Sequence, residues 1–188
     1  MVPYIDQVVR SGYFHLRRIS GVWRNLDDAT CAAVIPCLVT SRLDYVNPLL
    51  YGVPERALHK LQVLENDAAR VLSRAPHRDH FTPILRQLHW LLLRQRISHK
   101  VLSMVLHDDT APTYLKQLLQ PRRPARILRS SGALQLVEPR SWSTFYSRAF
   151  SIVGPKLWDR LPMDIRNVNS TAALHKLIKT VLFHQHFK

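Results

Sequence analysis

The sequence has few glycines, few cysteines and no long apolar run, and each shortage argues against a class of protein. Five glycines in 188 residues are too few for a turn-rich β fold, so a mainly helical, all-α fold is expected. Cys31 and Cys37 form neither a disulfide framework nor a zinc pattern, which favours an intracellular protein of the nucleus or cytoplasm. The longest uncharged run, Ala29–Ser41, is too short to cross a bilayer, and no signal peptide precedes it. The chain is therefore expected to be neither secreted nor transmembrane.

Acidic residues are scarce as well, with 13 of them against 27 basic residues and a net charge of +14. The excess is uneven, because residues 110–188 contain 13 basic and only 3 acidic residues. A field of this sign favours polyanions such as nucleic acid or an anionic membrane surface. Arginine outnumbers lysine by 20 to 7, and the planar guanidinium is the better partner for phosphates and bases. The alternative is an unselected reading frame that is simply rich in arginine.

A hinge at Gly52 and Pro54 organises the apolar pattern. Glycine is suited to closing a helix, and proline to opening the next one. Beyond the hinge, one helical face collects the apolar positions Leu58, Leu61, Leu64 or Glu65, Ala68 and Leu72. This spacing predicts an amphipathic helix on a helical core. Further helices are predicted at residues 4–20, Ala29–Val39, Ile84–Leu88, Ile97–Leu106, Tyr114–Leu119, Ala149–Leu161 and from Ser170 onwards, the last with a buried stripe of Leu174, Leu177, Ile178, Val181 and Leu182.

Prolines and polar runs divide these patterns. Pro36 is expected to kink or split its helix, and Pro155 to break one or start one. A small β-hairpin is expected near residues 133–146, formed by Ala133–Val137 and Ser143–Tyr146. The chain is thus predicted to comprise a helical region (1–119), a basic Pro/Arg-rich arm (120–133) and a C-terminal hairpin with helices (134–188).

Residues for catalysis or metal binding do not form a recognisable set. The acidic pairs Asp27-Asp28 and Asp108-Asp109 lack the flanking strands of a polymerase metal site and are interpreted as helix caps. His77 and His80 lie in a loop with no second ligand pair. No enzymatic activity, cofactor site or metal site is therefore predicted.

The clearest chemical feature is a run of arginines interleaved with aromatic residues. Guanidinium groups pair with phosphates and aromatic rings stack on bases, so this mixture is typical of binding to single-stranded or structured nucleic acid. The alternative is that Trp142 and Phe145 anchor the hairpin while the arginines are merely solvated. The predicted nucleic-acid-binding residues are Arg122, Arg123, Arg126, Arg129, Arg140, Trp142 and Arg148.

Several motifs in this chain occur in the order and spacing of a known family. They include SRLDYVNPLLYGVP at 41–54, LQVLENDAARVL at 61–72 and RAFSIVGPKLWDRLPMDIRN at 148–167. Through them the chain, from about residue 11 to residue 183, resembles the C-terminal segment of non-LTR (LINE-type) retrotransposon reverse transcriptases. The chain departs from the family pattern at Val46, where the family usually has cysteine, and at Leu92, where it usually has proline.

The resemblance implies a helical thumb and a trailing region that help to hold template and primer beside the polymerase active site. The endonuclease and the catalytic palm lie upstream in the family, so the resemblance implies a truncated, non-catalytic remnant. Such a protein at most binds RNA or DNA with low sequence specificity through its basic residues. The rival interpretation is an orphan or exapted helical domain without nucleic-acid function, which contacts a protein partner through the Leu58–Leu72 helix.

Overall fold

The computed structural model describes residues 1–106, 113–122, 135–168 and 170–187. Within these ranges the chain forms helices, turns and one isolated antiparallel bridge, and no strand is present, which confirms the all-α class. The protein divides into two compact units. The first unit is Met1–Ile97 together with His186 and Phe187, and the second is Ser98–Gln185. The three-part division proposed from the sequence stays a prediction.

The helices are numbered in chain order. The α-helices are α1 (Val2–Val22), α2 (Asp28–Ile35), α3 (Ser41–Asp44), α4 (Glu55–Ser73), α5 (Phe81–Gln87), α6 (Leu93–Leu106), α7 (Thr113–Gln117), α8 (Phe150–Trp158), α9 (Met163–Arg166) and α10 (Thr171–His186). A π-helix occupies Pro36–Thr40, and short 3-10 helices occupy Trp23–Asn25, Asn47–Leu50 and Tyr146–Arg148. Among the described residues, no helix combines the length and apolar character that crossing a bilayer requires.

The first unit is built on the pairing of α1 with α4, which run in the same direction. The Lys60 ammonium lies 2.5 Å from the Asp6 carboxylate, and the Tyr13 hydroxyl donates to Asp67 at 2.7 Å. Both pairs join residues that are 54 positions apart, and this constant offset shows that the helices are parallel. Each helix carries apolar residues at spacings of three and four, which gives it an apolar face for this contact.

The two helices approach most closely at Gly12. A Cβ atom at this position would lie 2.4 Å from Leu64 Cδ2, well inside van der Waals contact. Leu64 is fully buried and cannot swing away into solvent. Glycine is therefore required at position 12 by the proximity of α4, and not by its backbone conformation.

The hinge before α4 has the predicted chemistry. Gly52 has a φ of 73°, in the left-handed region, and α4 begins directly after Pro54. The stretch before Gly52 is a short 3-10 helix and not a long helical segment. On the predicted face of α4, Leu72 is half-buried, whereas the other members are buried against α1 and its neighbours, namely Leu58, Leu61, Leu64, Glu65 and Ala68.

A buried ion network ties α4 to α3 and α6. The Glu65 carboxylate has no solvent exposure and accepts from Arg96 Nη1 at 2.9 Å. The same guanidinium donates to the Asp44 carboxylate from Nε at 3.1 Å and from Nη2 at 3.0 Å. Gln62 donates to Glu65 at 3.0 Å and accepts from the Leu93 backbone N–H at 2.9 Å. Burial raises the pKa of Glu65 to about 7, against the lowering influence of Arg96.

Pro36 and Pro155 have different effects on their helices. At Pro36 the chain passes from α2 into the π-helix and then into α3, so the structure shows a change of helix type there, and the expected kink or split stays a prediction. Pro155, in contrast, lies inside α8, and the prediction of a break or a start there is wrong. The residues that surround Pro155 in α8, including Val153, Leu157 and Trp158, are buried. Their packing outweighs the loss of one helical hydrogen bond.

The last helix carries a narrower apolar stripe than its sequence suggests. Leu174, Ile178 and Leu182, four residues apart, are buried. Leu177 is 38% exposed, so its assignment to the stripe is wrong. Position 177 lies off the line traced by the i, i+4 repeat. The Ser170 hydroxyl accepts from the Ala173 N–H at 3.4 Å and so caps the start of α10.

The predicted hairpin is wrong within the described residues. Leu136 forms an antiparallel bridge with Pro121, and Arg122 N donates to the Gln135 carbonyl at 2.8 Å. Residues 143–146 instead form a turn that leads into the 3-10 helix Tyr146–Arg148. The β propensity of a short aromatic run is weak, and a serine that hydrogen-bonds its own turn overrides it.

Candidate nucleic-acid interface

The segment 141–149 is a compact turn that is held together by its own hydrogen bonds. The Ser143 hydroxyl accepts from the Tyr146 N–H at 3.1 Å, and the Ser143 carbonyl accepts from the Ser147 N–H at 3.0 Å. The chain then continues through the 3-10 helix, where the Tyr146 carbonyl accepts from the Ala149 N–H at 2.9 Å. Serine supplies this turn because its short side chain reaches backbone groups two and three residues away. We refer to residues 140–148 as the aromatic turn.

The aromatic turn presents two large rings to solvent. Trp142 is 88% exposed and Phe145 is 84% exposed, although aromatic side chains of this size are usually mostly buried. Neither ring contributes to the core of the second unit. The alternative that Trp142 and Phe145 anchor a hairpin is therefore not supported by the structure, and both ring faces are open to stacking.

Arginines stand at both ends of the aromatic turn. Arg140 and Arg148 are exposed, and neither makes an ion pair with a described residue. Arg122 is likewise exposed and is positioned by its backbone bond to Gln135. The predicted Arg123, Arg126 and Arg129 lie outside the described residues. The structure thus places Arg140, Trp142 and Arg148 in one short segment.

This arrangement combines the two interactions that single-stranded nucleic acid offers. Guanidinium groups without carboxylate partners are available to phosphates, and exposed rings are available to bases. The sequence revealed the residue types but not the scaffold, because the hydrogen bonds of Ser143 depend on a turn conformation. The Ser-x-x-Tyr-Ser pattern at residues 143–147 is the local signal that could have indicated this turn.

Two of the acidic and histidine residues considered from the sequence stand at helix N-termini. Asp27 is the N-cap residue of α2, and hydrogen bonding by Thr30 lowers the pKa of its carboxyl. His80 is the N-cap residue of α5 and accepts from the Thr82 N–H at 3.4 Å. Asp108-Asp109 lies outside the described residues. No group of three His, Cys, Asp or Glu side chains with metal-binding geometry occurs in the described ranges.

Comparison with known proteins identifies no relative: no family model matches the chain, and no curated protein or solved structure is significantly similar to it.

Proposed function

We propose that this protein is a non-catalytic binder of single-stranded or structured nucleic acid, with low sequence specificity, and that the aromatic turn is its contact surface. The observation that carries the proposal is the exposure of Trp142 and Phe145 between Arg140 and Arg148, neither of which forms an ion pair with a described residue. Exposure of two large aromatic rings to water is unfavourable. We therefore infer that a ligand covers them in the bound state.

Charge supports the same ligand. Most of the second unit, from residue 110 onwards, belongs to the part of the chain where basic residues far exceed acidic ones. Arginine contacts with phosphate give affinity without sequence preference, and stacking tolerates any base. The resemblance to the region that follows the polymerase palm of LINE-type reverse transcriptases points to RNA or DNA template-primer as the ligand class.

The rival function, protein binding through Leu58–Leu72, is less favoured. The apolar side chains of this helix that such a contact needs are buried inside the first unit. A partner could reach these side chains only by displacing α1, which would disrupt the hydrophobic core of the first unit.

Replacing Arg140 and Arg148 together with alanine tests the electrostatic part of the proposal. Each phosphate contact releases about 0.7 condensed counterion from a single strand, so the log–log slope of affinity against salt should flatten by between one and two units. Fluorescence anisotropy with a labelled single-stranded RNA, the matching DNA and an RNA hairpin measures this slope. Arg10→Ala/Arg56→Ala removes the same charge from exposed sites in the first unit and should leave the slope nearly unchanged. Equal flattening by both pairs would show that only net charge acts.

Trp142→Ala tests the stacking part in the same titration. We expect a loss of about 1–3 kcal/mol in binding free energy with little change in salt slope, since no charge is removed. The melting temperature should not change, because Trp142 contributes little buried area. Unaltered affinity for all three ligands would remove the aromatic turn from the binding surface.

A further inference from the structure

A cavity of about 530 Å³ lies in the first unit between the C-terminal halves of α1 and α4. Its volume falls within the range of small-molecule sites. The helical spacing of the sequence explains its walls. Tyr13, Leu16, Arg17 and Ser20 fall on one face of α1, and the opposite wall comprises Asp67, Arg70 and Val71 of α4 and Arg74, the residue that follows this helix.

The polar lining is cationic. Arg17, Arg70 and Arg74 line the cavity together with the carboxylate of Asp67, and Arg74 also pairs with Asp28, which lies outside the lining. Asp67 is already occupied, because it accepts from the Tyr13 hydroxyl at 2.7 Å and from Arg70 Nη1 at 2.9 Å. Burial and the hydrogen bond to Asp67 raise the pKa of Tyr13 to about 12, so its hydroxyl remains a donor. The cavity therefore favours an anion.

Two of the three guanidinium groups are held in place by protein groups. Arg70 donates to the Asp79 carbonyl from Nη2 at 3.1 Å as well as to Asp67. Arg74 donates to the Leu26 carbonyl at 2.9 Å and pairs with the Asp28 carboxylate at 2.9 Å. Arg17, by contrast, is exposed and has no hydrogen-bond or ion-pair partner among the described residues. The Arg17 guanidinium is therefore available to pair with a bound anion.

An aromatic element adds a second kind of contact. The Arg74 guanidinium lies over the Trp23 ring, 5.1 Å from its centroid, and both residues line the cavity. A guanidinium stacked on an indole offers a flat surface on which another planar ring can lie. Leu16, Val71 and Ala75 supply apolar lining. A simple inorganic anion would leave these surfaces uncovered.

We propose that this cavity binds a nucleoside monophosphate, with Arg17 pairing with the phosphate and the base lying against Trp23 and Arg74. The inference is independent of the proposed function, because it concerns a discrete small ligand and residues of the first unit alone. It assigns a role to the polar face of α4.

Isothermal titration of the full chain with adenosine 5′-monophosphate, adenosine and inorganic phosphate tests the proposal. We expect one site for the monophosphate, and at least about tenfold weaker binding of adenosine and of phosphate alone. Arg17→Ala should weaken monophosphate binding about tenfold or more. Because Arg17 is exposed, circular dichroism and the melting temperature should remain those of the unaltered protein.

Arg18→Ala is the matched control. Arg18 is adjacent on α1 and exposed, but its guanidinium lies over Phe14 at 4.9 Å and does not line the cavity. The affinity of this variant for the monophosphate should lie within about twofold of that of the unaltered protein. Contacts inside the cavity, and not the overall positive charge of the region, determine the affinity. Equal losses in the two variants, phosphate binding as tight as that of the monophosphate, or no heat at millimolar ligand would each overturn the proposal.

Discussion

Arg96→Met is expected to lower the free energy of unfolding by about 3–5 kcal/mol at pH 8. The substitution keeps much of the aliphatic stem but removes the cation that faces Glu65, whose carboxylate is fully buried. It also removes two donors to Asp44. A buried carboxylate without a partner either stays ionised, with an unfavourable desolvation free energy, or takes up a proton. Urea unfolding followed by circular dichroism measures the loss.

Arg94→Met provides the control for this effect on the same helix. Arg94 pairs with Glu55, but both side chains are largely exposed, at 69% and 71%. Exposed pairs contribute little, so this variant should lose less than about 1 kcal/mol. The double variant Arg96→Met/Glu65→Leu should recover part of the loss, because no buried charge remains. Similar losses for Arg96→Met and Arg94→Met would show that the network contributes nothing beyond a surface pair.

The second large effect is a dependence of stability on pH that belongs to Glu65. Its pKa is raised from 4.5 to about 7 in the folded protein, chiefly by burial, so the folded state holds a proton that the unfolded state has released. The resulting stabilisation is fully present below pH 4.5 and is lost as pH rises through 7. The loss should amount to about 3 kcal/mol across this interval.

Glu65→Gln isolates this contribution. Glutamine does not titrate, so subtracting the variant's unfolding free energy from that of the unaltered protein cancels the other ionisable groups. The difference should fall steadily between pH 4.5 and pH 7 and be flat above it. A difference that rises with pH would mean that Arg96 lowers the pKa of Glu65 more than burial raises it. The same titration explains why Arg96→Met should cost less at pH 5, where Glu65 is protonated in both proteins.

The local spacing of apolar residues predicted the fold class and most helices. It did not predict contacts between residues that are distant in the sequence. The face of α4 and the part of α6 from Ile97 onwards followed from periodicity. The continuation of α8 through Pro155 did not, because burial of its neighbours overrides a local rule. The bridge between Pro121 and Leu136 was missed because nothing in either stretch specifies the other.

The same distinction applies to the sites. The arginines and Trp142 could be selected by composition, because the chemistry of nucleic-acid binding is visible in residue types alone. The exposure of Trp142 could not, because it depends on whether the surrounding segment folds over the ring. The pairing of Glu65 with Arg96 joins positions 31 apart, and only the packed structure makes them neighbours.

The parallel arrangement of α1 and α4 has a consequence for the order in which the first unit folds. Parallel helices cannot be joined by a tight turn, so the chain must return along the pair through α2 and α3 before α4 begins. The pairs Asp6–Lys60 and Tyr13–Asp67 therefore close loops of 54 residues. Closing such loops lowers the conformational entropy of the chain before the burial of apolar surface between the helices can compensate for it. Docking of α1 onto α4 is thus expected to follow the local helices and to set the folding rate of this unit.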